Sequence, residues 1–204
     1  ADPGSSSGKT TGLPFEQSSG SPFAVIVQCT DEYWNKVTTV NQQVTIETSD
    51  VNDTSPAGSA AFVAGEKIFN VTSTTAGTWT ITADDTDITA PTYTTHISSD
   101  IIVRPGSAVK LQLLIPGETA DPGNTSSATP GKISNPLTQT NGTQFVVTVN
   151  LTDDNWNKVQ QIPRYYVGFR STRPWDYEEE RLGPYKEIGE MKLVEYFKDR
   201  KGVH

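Results

Sequence analysis

Two short polar runs carry the side chains in this sequence that are best suited to hold a cation. One is DEYWNK at 31–36, and the other is DDNWNK at 153–158. Calcium takes carboxylate, amide and backbone carbonyl oxygens, usually six or more of them. The candidate calcium ligands are therefore Asp31, Asn35, Asp153 and Asn157. Each run supplies too few oxygens alone, and the alternative is that its Asp and Asn side chains bond their own backbone in a turn.

Three other patterns look reactive but lack what the chemistry requires. The run GSSSGKT at 4–10 has three residues between its glycines, whereas a phosphate-binding loop has four and joins a strand to a helix. Cys29 is the single cysteine, and a small buried hydrophobe is its simplest role. The three glutamates at 178–180 are adjacent, whereas an acid/base pair needs a set separation across a cleft. We therefore predict no enzymatic activity and no cofactor beyond the calcium hypothesis.

A tandem repeat organises the chain. FAVIVQCTDEYWNKVTTV at 23–40 returns as FVVTVNLTDDNWNKVQQI at 145–162, with a constant offset of 122 residues. ADPG at 1–4 returns at 120–123 with an offset of 119. We expect the chain to begin inside one repeat, to complete it, and to depart from the pattern after Ile162.

The composition favours strands and excludes two classes of partner. Hydrophobic residues make up 34% of the chain, and Thr and Ser are abundant. Residues 1–163 hold seven Lys/Arg and sixteen Asp/Glu, whereas residues 164–204 hold nine and eight. The acidic repeat region lacks the clustered cations that a nucleic-acid partner requires. No apolar run approaches the roughly 20 residues of a membrane span.

Short strands with turn signals between them predict an all-β chain and a β-sandwich. Phe23, Val25, Val27 and Cys29 alternate with less apolar positions, which is typical of a half-buried strand. We predict a flexible linker at 1–21, a sandwich module at 22–106, the start of a second module at 107–162 (strand, linker, strand) and a divergent C-terminal segment at 163–204.

The quoted repeat resembles the immunoglobulin-like repeats of large bacterial surface and secreted proteins, and more distantly the stalk domains of invasin and intimin. The F-x-V-x-V strand, the D-x-x-W-N-x-V turn and the TAGTWTITAD strand carry the resemblance. It implies immunoglobulin-like sandwich modules, the second incomplete, in an extracellular or cell-surface protein. It also implies a structural role in spacing or assembling a stalk or filament.

Two alternatives concern partners. An adhesin or carbohydrate-binding module would use exposed aromatics, for which Trp175 and Tyr177 are the candidate contacts. Strand pairing with neighbouring copies or adjacent repeats would follow if an incomplete sandwich exposed its strand edges. The segment at 163–204 is accordingly either a terminal cap or a docking segment.

Overall fold

The computed structural model describes residues 2–10, 12–53, 58–86, 91–125, 128–160 and 190–195. Every regular element in these ranges is a β-strand, so the all-β prediction is confirmed. None of the described elements is a helix long and apolar enough to cross a bilayer. The chain divides into two compact units, Ala1–Arg104 and Pro105–His204, which are taken in turn.

The described residues of the first unit form nine strands. They are β1 (Gln17–Ser18), β2 (Phe23–Gln28), β3 (Gln43–Thr48), β4 (Ser59–Ala61), β5 (Glu66–Val71), β6 (Gly77–Trp79), β7 (Ile81–Asp84), β8 (His96–Ile97) and β9 (Ile101–Arg104). They form three sheets with the orders β4-β3-β7-β8, β1-β9-β6 and β2-β5. All pairs are antiparallel except β1 and β9, which run parallel with Gln17 opposite Val103.

A one-residue bulge separates the β7–β8 pair from the β6–β9 pair. Trp79 lies opposite Ile101 and Thr82 opposite Ile97, so three steps on one side match four on the other. The hydroxyl of Ser98 accepts a hydrogen bond from the backbone N–H of Ile81 at 2.8 Å. The Ser98 side chain thus supplies an acceptor where the extra residue interrupts the ladder.

The core of the first unit forms where alternating apolar residues of several strands meet. Its centre consists of five buried side chains: Ile46, Val71, Ile81, Ile101 and Val103. Phe23, Val25 and Val27 of β2 pack against this cluster, as their alternation predicts. Cys29, Val44 and Phe62 form a second buried cluster.

The second unit contains five described strands. They are β10 (Lys110–Leu114), β11 (Thr119–Ala120), β12 (Lys132–Ile133), β13 (Phe145–Thr152) and β14 (Glu190–Glu195). The sheet order is β10-β13-β14, and β11 pairs with β12. The predicted C-terminal segment therefore supplies a strand, β14, while residues 161–189 and 196–204 lie outside the described ranges.

The two stretches rich in Gly, Ser, Thr and Pro make defined contacts within their own units. In the N-terminal stretch, predicted as a flexible linker, Ser19 donates its backbone N–H to the carbonyl of Arg104 at 2.8 Å. In the second, Lys132 and Glu118 form an ion pair at 2.7 Å, with the Glu118 side chain 5% exposed. The first unit ends at Arg104, two residues before the boundary that the sequence predicts.

Truncating Ile46 tests the position of the core. Ile46 is 1% exposed, whereas Ile97 is 57% exposed. We expect Ile46→Ala to lower the free energy of unfolding by about 2–5 kcal/mol because it leaves a cavity. The control Ile97→Ala should change it by no more than about 0.5 kcal/mol. Urea denaturation measures both, and similar losses for the two variants would contradict this core.

Candidate functional site: the repeated tryptophan turn

A tight turn follows β2 and is closed by one carboxylate. Oδ1 of Asp31 accepts the backbone N–H of Tyr33 at 2.9 Å and that of Asn35 at 2.8 Å. The Asn35 side-chain amide donates back to Oδ2 of Asp31 at 2.9 Å. The backbone N–H of Asp31 in turn donates to the Asn35 carbonyl at 3.0 Å. The two side chains thus hold the ends of the turn together.

The second copy of the sequence builds the same turn after β13. Oδ1 of Asp153 accepts the backbone N–H of Asn155 at 2.9 Å and that of Asn157 at 2.8 Å. The Asn157 amide donates to Oδ2 of Asp153 at 2.9 Å. Trp34 and Trp156 both adopt a φ of 65°, which is uncommon for a residue other than glycine. The two turns therefore have the same hydrogen bonds and the same backbone conformation at the tryptophan.

Each tryptophan ring covers a glycine of the preceding loop. A Cβ added at Gly8 would lie 2.2 Å from Cε3 of Trp34, and one added at Gly131 would lie 2.3 Å from Cγ of Trp156. These distances leave no room for a side chain. GSSSGKT, the sequence resembling a phosphate loop, thus contains a glycine that lies against a tryptophan.

The repeated ADPG sequence ties this loop to the turn in both copies. Gly4 donates its backbone N–H to the carbonyl of Tyr33 at 3.0 Å, and Gly123 donates to Asn155 at 2.8 Å. The Asp2 N–H reaches the Gly8 carbonyl at 2.8 Å, and the Asp121 N–H reaches the Gly131 carbonyl at 2.7 Å. Loop, tryptophan and turn form one unit, which we call the tryptophan turn.

The two tryptophan turns differ in burial. Asp31 and Asn35 are exposed, whereas Asp153 is 2% and Asn157 1% exposed. Residues 105–114, which lead into and include β10 and which we call the β10 segment, contact the second turn: the Gly106 N–H donates to Oδ2 of Asp153 at 2.8 Å. The Lys110 ammonium lies 4.8 Å from the Trp156 ring centre. It also pairs with Asp154 at 2.8 Å.

The four candidate calcium ligands form one Asp–Asn pair in each unit. Within each pair the amide N–H₂ faces the carboxylate. A cation needs oxygens there instead, so the arrangement has the hydrogen-bond pattern of the turn alternative. In the ranges that the structure describes, no group of three or more His, Cys, Asp or Glu side chains is placed to hold a metal. Calcium binding stays a prediction.

The environment of Asp31 favours its charged form. Hydrogen bonds from the Asn35 amide and from the backbone N–H groups of Asn35 and Tyr33 lower the pKa of its carboxyl.

The candidates other than the Asp–Asn pairs are a thiol, an imidazole and aromatic side chains. Cys29 is buried, and burial raises the pKa of its thiol, which disfavours the nucleophilic thiolate. His96 packs edge-on against Trp34 with ring centres 5.8 Å apart. Of the aromatics beside the first turn, Tyr33 is 64% exposed. Trp175 and Tyr177 lie outside the described residues.

Sequence reasoning missed two features. Asp50 is 4% exposed and accepts backbone N–H groups from Thr74 and Thr75 at 3.1 and 2.9 Å, so the loop that follows β3 holds a buried carboxylate. The repeat also extends further back than its apolar strand. LPFEQSSGSPF at 13–23 matches NPLTQTNGTQF at 135–145 at the same offset, and both close a turn through Ser21→Ser18 and Thr143→Thr140 hydrogen bonds.

Substituting glycines tests the contact between loop and ring. Gly4 and Gly8 have φ values of 78° and 69°, but a Cβ at Gly4 meets nothing within 4 Å. We expect Gly4→Ala to destabilise the first unit by about 1–2 kcal/mol through backbone strain alone. Gly8→Ala should destabilise the unit by about 1–3 kcal/mol more than Gly4→Ala does, because its methyl group displaces the Trp34 ring. Equal losses in urea denaturation would show that Gly8 does not touch the ring.

Removing each carboxylate tests how burial changes its contribution. Asp153→Ala leaves three backbone N–H groups, one buried and two partly buried, without their acceptor, and we expect a loss of about 3 kcal/mol or more in the free energy of unfolding. Asp31→Ala should lose clearly less, because water reaches the exposed donors. The two variants are compared by urea denaturation under one set of conditions. If Asp31→Ala lost as much stability as Asp153→Ala, the expected effect of burial would be contradicted.

Calcium addition and chelation test the metal hypothesis directly. Because the amide groups satisfy the carboxylates, we expect the melting temperature to be the same in calcium and in a chelator. A melting temperature that rises with calcium, and no longer does so in the Asp31→Ala and Asp153→Ala variants, would reinstate these residues as ligands.

No protein-family model, characterised protein or solved structure matches this chain. The tryptophan turn is therefore defined by its own geometry: a carboxylate that closes a turn, a left-handed tryptophan and a glycine under its ring.

Proposed function

We propose that this chain is a non-enzymatic structural repeat of an extracellular bacterial surface protein, which spaces or assembles a stalk. The observation that carries the proposal is the tryptophan turn, built twice with the same hydrogen bonds and the same φ. Repetition preserves a framework when its purpose is length or stacking. The extracellular location rests on the resemblance of the repeat to bacterial immunoglobulin-like modules.

We further propose that the first unit is an immunoglobulin-like sandwich. Such a sandwich pairs its second strand with its fifth, and its third strand with the sixth, which also pairs with the seventh. Here β2 pairs with β5, β3 pairs with β7, and β7 pairs with β8. The bulge at Ser98 divides the last strand into β8 and β9, which accounts for the separate β1-β9-β6 sheet.

The parallel pairing of β1 and β9 suits a unit that carries load. β1 lies near the start of the unit and β9 at its end, so pulling the two ends apart slides these strands past each other. All their hydrogen bonds are then loaded together, whereas a peeled antiparallel pair loses them one at a time. Glu16 and Arg104 add a two-pronged ion pair at 2.6 and 3.0 Å across the same junction.

Single-molecule force spectroscopy tests this role. The chain is held through handles at positions 9 and 104, which load β1 against β9. The control places the handles at positions 82 and 97, which face each other across the β7–β8 pair and peel it apart. We expect a clearly higher unfolding force in the first geometry. Equal forces in the two geometries would contradict a load-bearing role.

The adhesin or carbohydrate-binding alternative stays a prediction, since its candidate contacts Trp175 and Tyr177 lie outside the part of the chain that the structure describes. In the first tryptophan turn, Trp34 is committed to Gly8 and His96. A sugar-stacking surface there would have to use Tyr33 alone among the turn's aromatics.

A further inference from the structure

Strands β2 and β13 are equivalent at an offset of 122 residues, and each has the same kind of neighbour on one edge. Phe23 of β2 lies opposite Val71, the last residue of β5. Phe145 of β13 lies opposite Glu195, the last residue of β14. β5 and β14 both have six residues and pair antiparallel with their partners. The two strand pairs therefore share one register.

The other edge of these strands differs between the units. β13 pairs there with β10, so that Leu114 lies opposite Thr148 and Leu113 opposite Val149. The described residues of the first unit include no strand on the corresponding edge of β2, whose sheet has the order β2-β5. We call residues 23–27 on this side the β2 edge. An uncovered edge presents backbone donors and acceptors to any strand that fits.

The burial of the neighbouring turn follows the same difference. Thr152, Asp153 and Asn157 are 0%, 2% and 1% exposed, and the β10 segment contacts the first two of them. Their counterparts in the first unit are Thr30, which is half-buried, and Asp31 and Asn35, which are exposed. Ile26, which belongs to the β2 edge, is 58% exposed. The surface that β10 covers in one unit is thus preformed and open in the other.

We propose that the β2 edge binds a strand with the sequence pattern of β10. This inference rests on the proposed function and names the kind of strand that completes the sheet of the first unit. The occupant is specified by chemistry: an extended segment with a lysine, alternating leucines and a glutamine, as in VKLQLLI at 109–115. Strand addition of this kind gains backbone hydrogen bonds for affinity and side-chain pockets for register.

The register of the bound strand follows from the β10–β13 pairing. Transferring it by 122 residues places Leu114 opposite Ile26 and Leu113 opposite Val27. The leucine at 114 would then cover the exposed Ile26 side chain.

Two polar contacts have preformed counterparts in the first unit. In the second unit, Gln112 donates its amide to the carbonyl of Gly131 at 2.6 Å, and the equivalent acceptor is the carbonyl of Gly8. Lys110 pairs with Asp154, and the equivalent carboxylate belongs to Glu32. Gln112 and Lys110 of the bound strand would therefore meet a backbone carbonyl and a carboxylate, as they do in the second unit.

A peptide with the sequence of residues 105–117, added to the full chain, tests the inference. We expect saturable binding and a melting temperature that rises with peptide concentration. The control peptide carries prolines at 112 and 113, because two successive prolines remove the N–H that faces the edge whichever way the strand alternates. We expect this control to bind at least tenfold more weakly.

A disulfide between peptide and protein then fixes the site. The protein carries Ile26→Cys and Cys29→Val, so that position 26 holds its single thiol. A peptide with Leu114→Cys should cross-link, because directly opposite residues bring their Cβ atoms within about 4.5–5.5 Å. A peptide with Leu113→Cys points its thiol to the other face of the sheet and should not. If the peptide instead replaced β10 of the second unit and paired with β13, no cross-link would form, because β13 holds no cysteine.

The inference is overturned if the peptide fails to bind a folded chain, if it binds without cross-linking to position 26, or if both cysteine peptides cross-link equally. Its failure is distinguishable from failure of the proposed function, because the force experiment loads one unit without any added strand. High resistance to force with no peptide binding removes the strand-docking site and leaves the structural role.

Discussion

Each unit depends most on one carboxylate, which lies at the end of a strand and accepts two backbone N–H groups and one side-chain amide. Asp31 and Asp153 do this with hydrogen bonds that agree within 0.1 Å between the two copies. The carboxylate fixes the turn, the turn holds a tryptophan at positive φ, and the tryptophan ring holds the preceding loop through a glycine. One polar contact thereby connects segments that lie about 25 residues apart in the chain.

The exposure of the carboxylate to water determines how much that contact contributes to the free energy of unfolding. A carboxylate with the same donors stabilises more when its removal would leave buried N–H groups unsatisfied, as at Asp153, than when solvent can replace it, as at Asp31. At the second turn the β10 segment adds a further N–H from Gly106 and a lysine over the Trp156 ring. The two turns therefore show one motif with and without a covering strand.

The sequence predicted the features that depend on local pattern. Alternation of Phe23, Val25 and Val27 predicted a strand with one face in the core, and the Asp-x-x-Trp-Asn spacing predicted a turn as an alternative to a metal site. Features that depend on distant partners were not predictable. The contact of Gly8 with Trp34, the buried Asp50 and the Ser98 bulge each join segments that no local period relates. Residues 1–21, predicted as a linker, include Ser19, which bonds the distant Arg104 carbonyl, and composition alone does not reveal such a contact.

The central claim is that one tryptophan turn occurs twice, covered in the second unit and open in the first. Site-resolved hydrogen exchange of the two equivalent amides, those of Asn35 and Asn157, tests it most directly. Both donate to an aspartate Oδ1 at 2.8 Å, so the hydrogen bond itself is matched and only the cover differs. The account predicts that the Asn157 amide exchanges far more slowly than the Asn35 amide. Equal exchange rates, or slower exchange at Asn35, would contradict it.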